Sequence, residues 1–140
     1  MAGTLQALDF DDIVAINRRM ILEFGGEPLT PGDNTVNPSS LHFALGTLQG
    51  DLFGAPVFPS LPAKAASLAW HIIAGHVFVD GNKRTGMEAA RLFLELNGMQ
   101  IEINQDIIEV GVQIADGSLG LDEFIAWLIP RVRPEAGSAT

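Results

Sequence analysis

Residues 75 to 86 read GHVFVDGNKRTG and bring His76, Asp80, Asn82, Lys83 and Arg84 within a few positions of one another. An imidazole titrates near neutrality and can take the proton of an attacking hydroxyl, while a carboxylate such as Asp80 can hold magnesium. Gly81 directly precedes an amphipathic run. The backbone N–H groups of Gly81, Asn82, Lys83 and Arg84 are therefore expected at a helix N-terminus, where unpaired donors and the helix dipole bind anions. Lys83 and Arg84 add full positive charge at that positive end, which is unfavourable unless an anion neutralises it. Base, metal-type carboxylate and anion donors are together the parts that phosphoryl or nucleotidyl transfer requires.

Taken singly, each residue also has a structural use. His76 can interact with the carbonyls that end the preceding helix, Asp80 can cap the following one, and Asn82 can satisfy the turn. Phe78, flanked by valines, reads as an anchor of the loop to the core. A strand-like alternation would put His76, Phe78 and Asp80 on one side, with Val77 and Val79 on the other. The clustering itself is what these uses leave unexplained. A Walker-type phosphate loop is excluded, because Asn82 stands where that pattern needs a glycine before the lysine. His71 and His76 are five apart across Gly75, which is not the spacing of a helical metal pair.

The elements that must position the motif follow from periodicity and punctuation. Ile13, Ile16, Met20 and Phe24 recur at helical spacing over residues 9 to 24, with Asp9, Asp11 and Asp12 suiting the dipole at the start. The glycines and prolines of residues 25 to 34 make a loop. Asn37 as N-cap and Pro38 at the first position open a second helix, running to about Gln49. The stretch Gly50 to Pro59 mixes large apolar residues with glycine and proline, giving a flap or short irregular hairpin. Ser60 or Leu61, with Pro62 in the first turn, starts a third helix that runs to about Gly75 and packs on more than one side.

After the motif, KRTGMEAARLFLELNG predicts a fourth helix stopping at Asn97 and Gly98, apolar enough near its end to be the central buried one. Residues 99 to 103 suggest a brief extended piece, Asn104 caps a fifth helix, and LDEFIAWLIPRV supplies a sixth. The expected fold is all-α: about six helices around a central one that carries the motif at its N-terminus, with a short flap. One domain is expected over residues 1–133, and a disordered tail over 134–140.

Composition narrows the function. The chain has 140 residues and 47% hydrophobic content, enough for one domain with a proper core. Its 17 acids against 8 bases give a net charge of −9, which argues against tracking a nucleic-acid backbone. Without cysteine there is neither a disulfide framework nor a thiol nucleophile. No apolar run reaches the roughly 18 residues of a membrane span, and the acidic start is unlike an export signal. A cytoplasmic protein without membrane association is the expectation.

The run HVFVDGNKR resembles the motif of the Fic/Doc family, HPFx[D/E]GNGR in Fic enzymes, and specifically its death-on-curing (Doc) branch, which carries NKR where Fic enzymes carry NGR. EFGGEP, DLFG and RLFLELNG are also family-like, so the resemblance covers about residues 9 to 130. It implies a Fic-like fold, with His76 as general base for a Ser or Thr hydroxyl and Asp80 as the magnesium ligand. Gly81, Asn82, Lys83 and Arg84 would hold the phosphates of ATP.

In the Doc branch the nucleotide lies reversed relative to Fic enzymes, so that its γ-phosphate is transferred instead of AMP; Lys83, crowding the Fic phosphate pocket, is a physical reason to expect that here. The implied protein target is a translation factor, with elongation factor Tu the candidate by analogy. Fic-like AMP transfer is the alternative, and a catalytically idle binding subunit a third. Val77 replaces the Fic proline, and Met87 stands where AMP-transferring enzymes place a second arginine. Glu88, one turn after Arg84, is expected to pair with it. No Ser or Thr is followed four residues later by glutamate, as the family's inhibitory helix requires. The resemblance then implies a Phd-like antitoxin supplying an inhibitory segment in trans. The flap is a candidate for docking the target backbone.

Overall fold

The computed structural model of the chain describes residues 5–26, 32–49, 51–52, 55–56, 58 and 60–135. Helix α1 spans Phe10–Phe24 and begins with a capping box: Asp9 accepts from the Asp12 N–H at 2.8 Å, and Asp12 accepts from the Asp9 N–H at 2.9 Å. Its expected stripe is buried at Ile13, Ile16 and Met20, while Phe24 in the last turn is half exposed. Helix α2 spans Pro38–Gln49 and starts where the Asn-Pro pair places it. The Asn37 amide, however, reaches out of α2 and donates to the carbonyls of Gly75 and His76 at 3.0 and 3.1 Å. Two short strands, β1 (Asp51–Leu52) and β2 (Ala55–Pro56), pair antiparallel, so part of the expected flap is a hairpin. Its Gly50, Phe53, Gly54, Val57 and Pro59 lie outside the described residues.

Helix α3, Leu61–Ala74, is capped by the Ser60 hydroxyl, which accepts from the Ala63 N–H at 3.2 Å. Helix α4, Asn82–Leu96, follows the motif. Strand β3 (Met99–Gln100) leads to α5 (Gln105–Ala115), capped by Asn104 through the Ile107 N–H, and then to α6 (Leu121–Leu128) and a 3₁₀ turn, Ile129–Arg131. Strand β4 (Arg133–Pro134) returns to pair antiparallel with β3, Met99 opposite Pro134. The fold is all-α, and among the described residues the strands form two-stranded ribbons beside the helices.

Helix α4 lies at the centre, as expected, and α3 shares that place with it. Helix α3 packs on α2, α4, α5 and α6, and α4 on α1, α3, α5 and β3. Gly86 makes their close approach possible: a Cβ there would lie 2.8 Å from Ile73 Cγ1 and 3.0 Å from the Ala69 carbonyl. Ile72, Ile73, Phe93 and Leu94 are fully buried, each contributing about 1.5–3 kcal/mol relative to exposure. The end of α4 is less enclosed than its composition suggests, since Leu96 is exposed.

Pro134 is in β4 and the Glu135 N–H donates to the Gly98 carbonyl at 3.0 Å, so main-chain pairing carries the fold past residue 133. Beside it, Asn97 and Gln6 exchange two hydrogen bonds, Gln6 N–H to Asn97 Oδ1 at 2.9 Å and Asn97 Nδ2 to the Gln6 carbonyl at 2.8 Å. Among the described residues no helix is long and apolar enough to cross a membrane.

Candidate active site

Packing of α3 against α4 fixes both ends of the motif loop, and backbone bonds fix its middle. At His76 the chain turns into the left-handed region, φ +46°, uncommon for a residue with a side chain. The Val77 carbonyl then accepts from the N–H groups of Val36 and Asn37 at 2.8 and 3.1 Å, and the Val79 N–H donates to the Asn34 carbonyl at 2.9 Å. Thr35 and Phe78 form an isolated bridge. Asp33 closes this lacing segment by accepting from the Thr35 N–H and hydroxyl, at 3.0 and 2.8 Å; those bonds hold its carboxyl below the ordinary carboxylate value.

These constraints overturn the strand-like alternation. Val77 and Phe78, consecutive residues, are both buried, while His76 and Val79 are exposed. Alternation needs extended φ throughout, and the left-handed turn at His76 breaks it. Phe78 does anchor the loop to the core.

Asn82 uses both ends of its amide in the turn: Oδ1 accepts from the Phe78 N–H and Nδ2 donates to the Phe78 carbonyl, both at 2.9 Å. For an anion it therefore has the backbone N–H and the second N–H of Nδ2. Asp80 is not the N-cap of α4. Gly81 is, in the left-handed conformation at φ +78° and without a side-chain cap, and Asp80 Oδ1 accepts the Gly81 N–H at 2.7 Å. Of the four N–H groups expected at the helix start, that of Gly81 thus has an acceptor in the fold. The helical ladder opens with Thr85 N–H to the Gly81 carbonyl at 2.9 Å, leaving the amides of Asn82, Lys83 and Arg84 ahead of it.

The expected ion pair between Arg84 and Glu88 does not form. Glu88 is taken by Arg91, at 2.7 and 2.8 Å, and by Arg19 of α1, at 2.6 Å. The hydrogen bonds that Arg91 donates to Glu88 raise its pKa above its ordinary value. Arg84 instead lies over the Phe24 ring, its guanidinium carbon 4.0 Å from the centroid.

The structure brings all six sequence-derived site residues into one cleft. His76, Asp80, Gly81, Asn82, Lys83 and Arg84 line an open cavity of about 330 Å³. A second cavity of about 430 Å³ adjoins it, with Phe24 and Arg84 lining both. Phe24 and Asn17 are the two positions that sequence reasoning missed. Asn17 sits beside Ile16 and one turn from Ile13, within the buried stripe of α1, so a polar residue on an apolar face was the available signal. For Phe24 there was none, since its arginine partner is 60 residues away.

A model described as the Fic/DOC family matches residues 7–94, more than half of the chain. "Toxin Doc" of Mycolicibacterium smegmatis (strain ATCC 700084 / mc(2)155) is 35% identical over 100 residues, 71% of this chain and 71% of that protein. "Protein kinase doc" of Escherichia phage P1 is 25% identical over 111 residues, 79% of this chain and 83% of the relative.

Proposed function

The chain belongs to the Fic/DOC family, and from that premise we propose that it is a Doc-like toxin, a protein kinase that moves the γ-phosphate of ATP onto a Ser or Thr hydroxyl of a translation factor. The observation that carries the reading is the single cleft lined by His76, Asp80, Lys83 and Arg84 at the N-terminus of α4. In this mechanism His76 takes the hydroxyl proton as the target oxygen bonds to the γ-phosphorus; the bond to the bridging oxygen breaks and ADP leaves with its electron pair. The backbone N–H groups at the start of α4 and the charges of Lys83 and Arg84 stabilise the phosphate oxygens.

The donor set fits magnesium as a nucleotide-binding protein uses it. That ion takes one or two carboxylates and completes its sphere from substrate phosphates and water, which suits a cleft offering Asp80 and no cluster of metal-type side chains among the described residues. Asp80 would hold it, and the ion would neutralise phosphate charge. A Phd-like antitoxin is the partner that silences the toxin in trans, and the cytoplasm, where translation runs, is its place of action.

AMP transfer is disfavoured by Met87, which is fully buried and so presents nothing to the cleft where a second arginine would stand. Incubation of purified elongation factor Tu with the protein, magnesium and ATP labelled at the α or the γ position, followed by intact mass, tests the reading. The expected result is γ-label and a gain of one phosphate. A gain of AMP would replace the kinase reading with nucleotidyl transfer. No label on this target or in cell lysate, with toxicity intact after loss of His76, would leave only an idle binding subunit.

A further inference from the structure

The Asp80–Gly81 peptide is held at both ends. Its carbonyl accepts Asn17 Nδ2 at 2.9 Å, and its N–H donates to Asp80 Oδ1 at 2.7 Å. A trans peptide is planar, with its C=O and N–H opposed. Fixing the carbonyl on α1 therefore fixes the plane, and with it the position of the Gly81 N–H that the Asp80 carboxylate meets.

Asn17 is a poor choice for stability alone. It is fully buried, and its Oδ1 has no hydrogen-bond partner among the described residues. A desolvated, unsatisfied carbonyl is unfavourable in a core, and an apolar side chain would continue the stripe of Ile13, Ile16 and Met20 without that cost. Both bonds from Nδ2 end on the motif segment, at the Asp80 carbonyl and at Thr85 Oγ1, 3.1 Å away. The peptide lies close against α1: a Cβ on Gly81 would come within 3.2 Å of Asn17 Nδ2 and 3.3 Å of Ile21 Cγ1. Across the loop, a Cβ on Gly26 would lie 3.0 Å from Asp80 Oδ2, so the carboxylate is closely confined on that side too.

We infer that Asn17 is a positioning residue which, through the Asp80–Gly81 peptide, sets the aim of the carboxylate that holds magnesium. Only the role given to Asp80 rests on the phosphotransfer reading; the peptide geometry stands apart from it. Amide hydrogen exchange by NMR on the full chain tests that geometry in the parent, Asn17→Leu and Thr85→Val. The Gly81 amide is expected to exchange more than tenfold faster in Asn17→Leu, with Ala89 and Ala90 inside α4 unchanged. Thr85→Val, which keeps the bond to Asp80, is expected to leave Gly81 at the parent rate. Asn17→Asp, of the same shape but without the donor amide, gives the same readout should the leucine not pack.

The second arm measures γ-phosphate transfer against magnesium concentration. Half-saturation is expected to need severalfold more magnesium in Asn17→Leu, with KM for ATP near that of the parent at saturating metal. Unchanged Gly81 exchange in the Asn17 variants, or equal acceleration in Thr85→Val, would overturn the inference. So would normal magnesium dependence in a transferring Asn17→Leu. Altered exchange with no transfer even by the parent would uphold Asn17 as the anchor of the peptide and sink the phosphotransfer reading instead.

Discussion

Helices α1 and α4 are both 15 residues long and pack on each other, yet their first turns are built by opposite rules. Helix α1 starts on a reciprocal Asp9–Asp12 capping box with Asp11 beside it, so its orphan donors and its dipole are answered within four residues. Helix α4 starts on a glycine with no side-chain cap and no acid in its first turn, and it carries Lys83 and Arg84 instead. What α1 satisfies locally, α4 leaves without a side-chain answer in its first turn. The chain keeps the local rules at Asp9, Ser60 and Asn104, and at the glycine start of α6 acids still stand in the first turn; α4 has neither cap nor acid there, which is what the proposed phosphate site asks of it.

The sharpest way to separate the two starts is to remove chemistry from one without touching stability. Asn tolerates the left-handed conformation of residue 76, so His76→Asn should keep the fold, with unfolding free energy within about 0.5 kcal/mol of the parent by urea denaturation. Loss of the general base should cut γ-phosphate transfer by about 10² to 10⁴-fold. Retained transfer would remove His76 from the mechanism.

Lys83→Ala should move the two quantities in opposite directions. Transfer falls about tenfold or more with the lost phosphate contact, while relief of the charge at the positive helix end stabilises the fold by about 0.3–1 kcal/mol. Loss of both together would mean that Lys83 serves the fold. Asp9→Ala is the complement at α1: destabilisation by about 1 kcal/mol in urea, with transfer unchanged well below the melting temperature. A matching drop in transfer would erase the contrast between the two helices.

Much of this organisation was legible because it is encoded locally. Pro38, Ser60 and Asn104 each place a helix start within a residue or two, since capping and the fixed φ of proline act over a single turn. The six candidate site residues lie close in sequence, His76, Asp80 and Gly81 on the loop and Asn82, Lys83 and Arg84 in the first turn of α4, and a loop tied between two packed helices keeps them together in space. What escaped was decided across elements. Glu88 has an arginine one turn away on either side in its own helix; it takes Arg91 and, across to α1, Arg19, while Arg84 finds the ring of Phe24. Asn37 reads as a cap and becomes a clasp on the carbonyls of Gly75 and His76, because the fold delivers those carbonyls to it. Asn17 escaped for the same reason: its partners lie 63 and 68 residues away.

The hydrogen bonds between Gln6 and Asn97, and from the Glu135 N–H to Gly98, bring both flanks of the fold to the C-terminal end of α4. Fifteen helical residues put that end about 22 Å from the start of α4. A fluorophore or fusion domain joined just before Gln6 or just after Glu135 therefore departs from the pole opposite the cleft, and surface tethering there leaves the motif facing solution.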